Sequence, residues 1–173
     1  MLSRYNSVFI VSLLIVFCGS LLYASDSEEM NMTQMKKFYT EVINKGNIDL
    51  MDKLCQKDFV EHEALPGVAS NLEGVKQFFT MYRAAFPDLK FTVDQMIAKD
   101  DKVVTHITIT GTQEGEFMGV PASGKKINLK GIDIVRFVDG KAVEHWGVTD
   151  TMTMMQQIGA IPDQSPGPEM HHK

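Results

Sequence analysis

Tryptophan occurs once, cysteine twice and proline six times in the 173 residues. Two cysteines cannot build a disulfide framework. Thirteen glycines and six prolines are too few for a fibrous repeat or a low-complexity chain. There is no positive excess either: 17 lysines and arginines face 22 aspartates and glutamates, a net charge of −5. Charge of that sign repels phosphates, which argues against non-specific attachment to nucleic acid or to acidic lipid. No glycine-rich phosphate loop, zinc-ligand spacing or serine elbow is present. What remains is one acidic domain of ordinary size, 44% hydrophobic.

Residues 1–24 read as a separate object. Arg4 is their one charge, residues 8–17 are apolar apart from Ser12, and Ala24 precedes Ser25. That is the pattern of a secretory signal cleaved after Ala24. The run is short of the roughly 20 apolar residues of a membrane span. Counted generously from Val8 to Ala24 it reaches 17, so a retained anchor is the alternative. The expected location is the periplasm or the exterior, with membrane contact only if the segment is kept. Phe17 stands before Cys18 where lipidation wants a small residue. Cys55 reads as a helix-packing residue with no base beside it.

Residues 25–31 are polar and acidic, a loose lead-in to a domain over 32–161; residues 162–173, with three prolines, are a flexible tail. Met35, Phe38, Tyr39, Val42 and Ile43 recur at helical spacing until Gly46. A short helix is expected over 48–55, an extended piece over 59–62, and a helix over 72–86 capped by Asn71 and stopped by Pro87. From Leu89 the period changes to two. Strands are expected from there, over 103–110, over 127–138 and over 142–150, the last two joined by Asp139-Gly140. A loop spans 111–124, and a short helix over 151–158 ends at Gly159. Helices followed by antiparallel strands predict an α+β fold with helices on one face of a curved sheet.

Several segments together resemble the SnoaL-like polyketide cyclases, within the nuclear transport factor 2-like superfamily. They are Phe59-Val60-Glu61-His62 with Pro66-Gly67, Phe86-Pro87-Asp88-Leu89, the stretch 111–126, the stretch 131–141, Glu144-His145-Trp146-Gly147-Val148-Thr149-Asp150, and Gln156-Gln157-Ile158-Gly159. The resemblance implies a cone-shaped α+β barrel, its mostly antiparallel sheet wrapped around N-terminal helices and a single deep pocket. It implies ring closure by intramolecular aldol condensation, with neither metal nor organic cofactor. The family's acid/base aspartate corresponds to Asp150, and a pocket histidine to His62. Relatives of this fold include isomerases, dehydratases, epoxide hydrolases and non-catalytic proteins, and they often pair as dimers, so fold alone does not decide the reaction.

The residues can also be read on their own. Alternation puts Glu144, Trp146, Val148 and Asp150 on one face of their strand, and His145, Gly147 and Thr149 on the other. An aromatic beside an acid suits a pocket wall, where Trp146 would desolvate Asp150 and raise its pKa for proton transfer. The competing reading makes Asp150 the cap of the helix starting at Thr151, which would lower that pKa. His62 would orient a substrate carbonyl or share a proton with Asp150; otherwise it closes the strand end. His145, on the opposite face, reads as structural or exposed.

The catalytic candidates are therefore Asp150 and His62. The substrate-binding candidates are Trp146, His106, Asp133, Tyr39, Phe79 and Tyr82. His106 either lines the pocket or faces outward. Asp133 shares a face with Val135 and Phe137, in the pocket or paired across strands. Glu61-His62-Glu63 is a weak metal pattern, because neighbours on a strand point to opposite faces. The methionines Met152, Met154 and Met155 read as packing rather than copper ligands. No metal and no cofactor are expected. The expected partner is a small apolar carbonyl compound, in a homodimeric enzyme; the alternatives are a non-catalytic binding protein and a dimeric interaction module.

Overall fold

The computed structural model describes residues 26–162. The expected signal segment and nearly all of the expected tail lie outside the described residues. Among the described residues no helix is long and apolar enough to cross a membrane.

Helix α1 covers residues 26–43. It is already helical at residue 26, which corrects the loose lead-in. Asp26, Glu28 and Glu29 are acids in the first turns of a helix, where the exposed amides favour negative charge. Glu28 also accepts a hydrogen bond from the Asp100 amide at 2.8 Å, tying the start of α1 to a strand turn. The end of α1, Phe38–Ile43, winds as a π-helix. Its last carbonyls are held by Arg83, which donates to Ile43 at 2.6 Å. Asn44 exchanges two hydrogen bonds with the backbone of Phe91, at 2.9 and 2.7 Å. A π-helical stretch shifts the helix face, and here it carries Tyr39 into the interior.

After a 3₁₀ turn, α2 is the single turn Met51–Leu54. Cys55 opens β1 (Cys55–Glu61) instead of ending a helix. Next come α3 (Leu72–Ala85), capped by the Asn71 side chain on the Gly74 amide, and the strands β2 (Lys90–Lys99) and β3 (Lys102–Thr112). The strands β4 (Lys126–Val138) and β5 (Lys141–Thr149) precede α4 (Thr151–Ile158). The five strands form one sheet in the order β1-β5-β4-β3-β2. Only β1 runs parallel to its neighbour, β5. The fold is the expected α+β one, with the N-terminal helices against a curved, open, mixed sheet.

Alternation decides what enters the core. Val103, Ile107 and Ile109 of β3 and Ile127, Leu129, Val135 and Phe137 of β4 are buried against the helices. The β4–β5 hairpin turns through Asp139 and Gly140, both at positive φ (50° and 72°), as a tight primed turn requires. The register slips just after it, so that Arg136 faces Glu144 while Phe137 faces Ala142. The irregular segment before β4 is held by buried Gln113, whose amide binds Val120, Pro121 and Ser123. It drops Phe117 into the core, its ring 4.8 Å from that of Tyr82.

Candidate functional site

A cavity of about 420 Å³ lies between the inner sheet face and helices α1 and α3. Phe38, Phe78, Phe79, Tyr82 and Phe91 supply much of its apolar wall, and Cys55 lines it too. Burial pushes the Cys55 thiol up to about 12, which keeps it a neutral packing group. The loop after β1 contributes Ala64, Leu65 and Val68 to the lining, and the end of β5 contributes Thr149.

Three ionisable side chains meet on this wall. Glu61 ends β1 directly opposite His145 of β5, and Gly147 pairs with Asp133 of β4. The imidazole of His145 bridges them, Nδ1 at 2.7 Å from Glu61 Oε2 and Nε2 at 3.3 Å from Asp133 Oδ1. Tyr39 donates its hydroxyl to Asp133 Oδ2 at 2.6 Å, and the Glu63 amide donates to Glu61 Oε1 at 2.9 Å. Burial by itself would lower the pKa of His145. The hydrogen bonds and charges of Asp133 and Glu61 outweigh it and raise the group to about 9. At neutral pH the ring is therefore charged and donates from both nitrogens. Burial, reinforced by Asp133, pushes the Tyr39 hydroxyl far up, so it stays a donor.

Glycine at position 147 makes this bridge possible. A Cβ there would lie 2.8 Å from His145 Cε1 and 3.1 Å from Asp133 Oδ1. With no side chain in the way, the imidazole lies back along β5 and reaches across to β4.

The structure places the expected site residues unevenly. Asp133, Phe79 and Tyr82 line the cavity, and Tyr39 lies behind Asp133. Trp146 and His62 do not: they stack on each other on the outer sheet face, ring centroids 4.5 Å apart and planes 3° from parallel. His62 stands 3.9 Å from Glu144, whose carboxyl is lowered chiefly by its hydrogen bond to Arg136. His106 also faces outward, 3.8 Å from Asp94. Asp150 is exposed and caps α4, accepting from the Thr153 amide at 3.0 Å and its hydroxyl at 2.7 Å. Those bonds hold its carboxyl below the usual carboxylate range. The alternation assigned to β5 holds, but the face carrying His145, Gly147 and Thr149 is the inner one. Glu61 was missed, although Phe59 two residues earlier marks the inward side of β1.

Among the described residues no group of three or more histidine, cysteine, aspartate or glutamate side chains is placed to hold a metal ion. Among the described residues that line the cavity, the positive charge is the imidazolium of His145. The arrangement can donate a hydrogen bond from a cation and accept a proton on a carboxylate beside it.

The sequence model of SnoaL-like polyketide cyclases matches residues 33–158. The chain belongs to that family. No curated protein matches it at a significant level. Among solved structures it is similar to TsrD from Streptomyces laurentii, with 27% identity over 77% of this chain and 97% of that one, and a TM-score of 0.71. AclR from Streptomyces galilaeus, a proposed hydroxylase, shares 29% identity over 82% and 87% of the two chains, with a TM-score of 0.71. IdmH from Streptomyces antibioticus, a proposed polyketide cyclase, shares 31% identity over 75% and 98%, with a TM-score of 0.66.

Proposed function

We propose that the chain is a cofactor-independent acid–base enzyme of the cyclase type, acting on a small, largely apolar carbonyl compound in the cavity. Asp133 would accept the proton and His145 would donate to the developing oxyanion. One observation carries the reading: a charged imidazole lies between two carboxylates on the wall of an otherwise apolar cavity.

The Nε2–Asp133 contact, at 3.3 Å, is the longest in the cluster and the one a ligand can replace. A substrate carbonyl oxygen entering there takes the Nε2 hydrogen as a charge-assisted hydrogen bond. Asp133 Oδ1, released from the ring, removes a proton from the carbon next to that carbonyl. The enolate is stabilised by the adjacent imidazolium. Its carbon attacks a second carbonyl of the same molecule, a C–C bond forms, and the new alkoxide takes the proton back from Asp133. Glu61 fixes the ring, and Tyr39 fixes the carboxylate of Asp133.

Hydrogen–deuterium exchange of the methyl protons of 2-acetylnaphthalene, followed by NMR, tests this. Wild type is expected to accelerate the exchange, Asp133→Asn and His145→Gln to abolish it, and Asp150→Asn to keep it. Exchange that survives Asp133→Asn overturns the assignment.

Two further readings belong to the proposal. Export rests on the sequence pattern of residues 1–24. A chain starting at Ser25 after expression in a secreting bacterial host would support it, and a full-length chain in the membrane fraction would support the anchor. The homodimer rests on the outer sheet face, where Val104 pairs with Ile134 and Ile134 with Trp146, and where Ile132 pairs with Val148. Val148 and Ile132 are 74% and 49% exposed, and an apolar strip of this kind favours being covered. Light scattering should find a dimer that Val148→Asp dissociates; a monomeric wild type would overturn it.

A further inference from the structure

Tyr82 carries a polar group that the acid–base cluster does not use. Its side chain lines the cavity and is 4% exposed, yet its hydroxyl has no hydrogen-bond partner among the described residues. Burial alone pushes its pKa up, so the hydroxyl keeps its hydrogen. The sealed polar atoms left without a partner among the described residues are Asn31 Oδ1 and Thr105 Oγ1; the Tyr82 oxygen is not one of them, so it stays accessible and a ligand oxygen in the cavity can accept its hydrogen. Its ring neighbours are Phe78, Phe86, Phe91 and Phe117, none of them part of the cluster. Phe91 touches both regions, 6.2 Å from Tyr39 and 6.3 Å from Tyr82, so the two polar points are separated by aromatic wall.

The charge of the wall adds a second constraint. Among the described residues no lysine or arginine lines the cavity. The imidazolium of His145 is already shared by Glu61 and Asp133, which leaves the trio one negative charge in excess. An anionic ligand would be buried without a counter-charge, at a large desolvation cost.

We infer that the cavity takes an uncharged ligand with two oxygen acceptors, one on His145 and the other anchored by the Tyr82 hydroxyl. This rests on the acid–base reading, and it gives the second carbonyl of the ring closure a place. Tyr82 then polarises the carbonyl that is attacked while His145 and Asp133 enolise the other. An ester or ketone fits this site and a free carboxylate does not.

The test measures affinity by calorimetry for wild type and Tyr82→Phe, a change that removes only the hydroxyl. The probes are the 2,6- and 2,7-diacetylnaphthalenes, 2-acetylnaphthalene and 6-acetyl-2-naphthoate. Tyr82→Phe is expected to weaken at least one diketone roughly fivefold and to leave the monoketone unchanged, as for one neutral hydrogen bond. The naphthoate should bind wild type at least about tenfold more weakly than that diketone. Equal weakening of all ketones, no weakening of either diketone, or a naphthoate that binds as well as they do overturns the inference. If methyl exchange still depends on Asp133 in that event, the acid–base reading stands and this inference alone falls. If exchange is absent while diketone binding depends on Tyr82, the cavity is a binding site and the acid–base reading is what falls.

Discussion

Replacing His145 by glutamine removes the positive charge between Glu61 and Asp133, and the structure fixes how the resulting loss of stability varies with pH. In the folded chain the imidazole titrates at about 9, against an ordinary value of 6.5. A proton held more tightly by the folded state stabilises it fully below about pH 6.5. That contribution declines as pH rises and is gone above about pH 9, where the folded ring is neutral. The difference in pKa converts to ~3 kcal/mol at 1.36 kcal/mol per unit. The side chain is 24% exposed, so solvent screens the pair only in part. Urea unfolding of wild type and His145→Gln at about pH 6 and about pH 9.5 isolates the clamp, because titrations away from Glu61, His145 and Asp133 are common to both proteins. The wild-type advantage should shrink by ~3 kcal/mol across that window. An advantage that stays constant would mean that His145 is not held charged by the two carboxylates, and the reasoning would fail.

Three other substitutions separate the inner face from the outer one. Gly147→Ala should push the imidazole off Asp133 while sparing its contact with Glu61; the NMR titration of His145 then moves below about 9 and ketone exchange slows, and an unchanged titration would contradict the geometry. Asp150→Ala should lower the melting temperature of the protein by loss of the α4 cap and leave exchange intact. Exchange lost with the fold preserved would return Asp150 to the chemistry. His62→Ala and Trp146→Ala should each leave the affinity for 2-acetylnaphthalene unchanged by calorimetry, because both rings stack outside the cavity; a large loss for either would refute their placement.

Much of the fold was legible in the sequence. In β3 and β4 burial alternates, and Asp133 does share a face with Val135 and Phe137; parity alone left open whether it lines the pocket or pairs across strands. The caps at Asn71 and Asp150 follow from a short polar side chain just before a helical stripe. The β5 face was harder, because alternation sorts residues into two sets without saying which set is inside. Trp146 was the obvious inward marker, but the outer face carries its own apolar strip of Ile132, Ile134 and Val148, which the indole joins. The register slip beside Ala142 compounds this: Ala142 and Val143 are both buried, so the strand enters without a clear alternation. Glu61 has no local signal of its own, since a glutamate at a strand end is ordinarily solvated. Its burial depends on His145 arriving from a strand more than eighty positions later, which local patterning cannot reveal. Residues 26–31 differ from expectation for a simpler reason: acids in the first turns of a helix resemble a loose polar segment.

The most direct measurement of the central claim is the nitrogen-15 NMR spectrum of the histidine rings as a function of pH. At neutral pH both nitrogens of His145 should carry a hydrogen, with a titration near 9 that drops in Glu61→Gln and in Asp133→Asn. A His145 ring that is neutral at pH 7.5 or titrates near the ordinary 6.5 would contradict the clamp and the chemistry built on it.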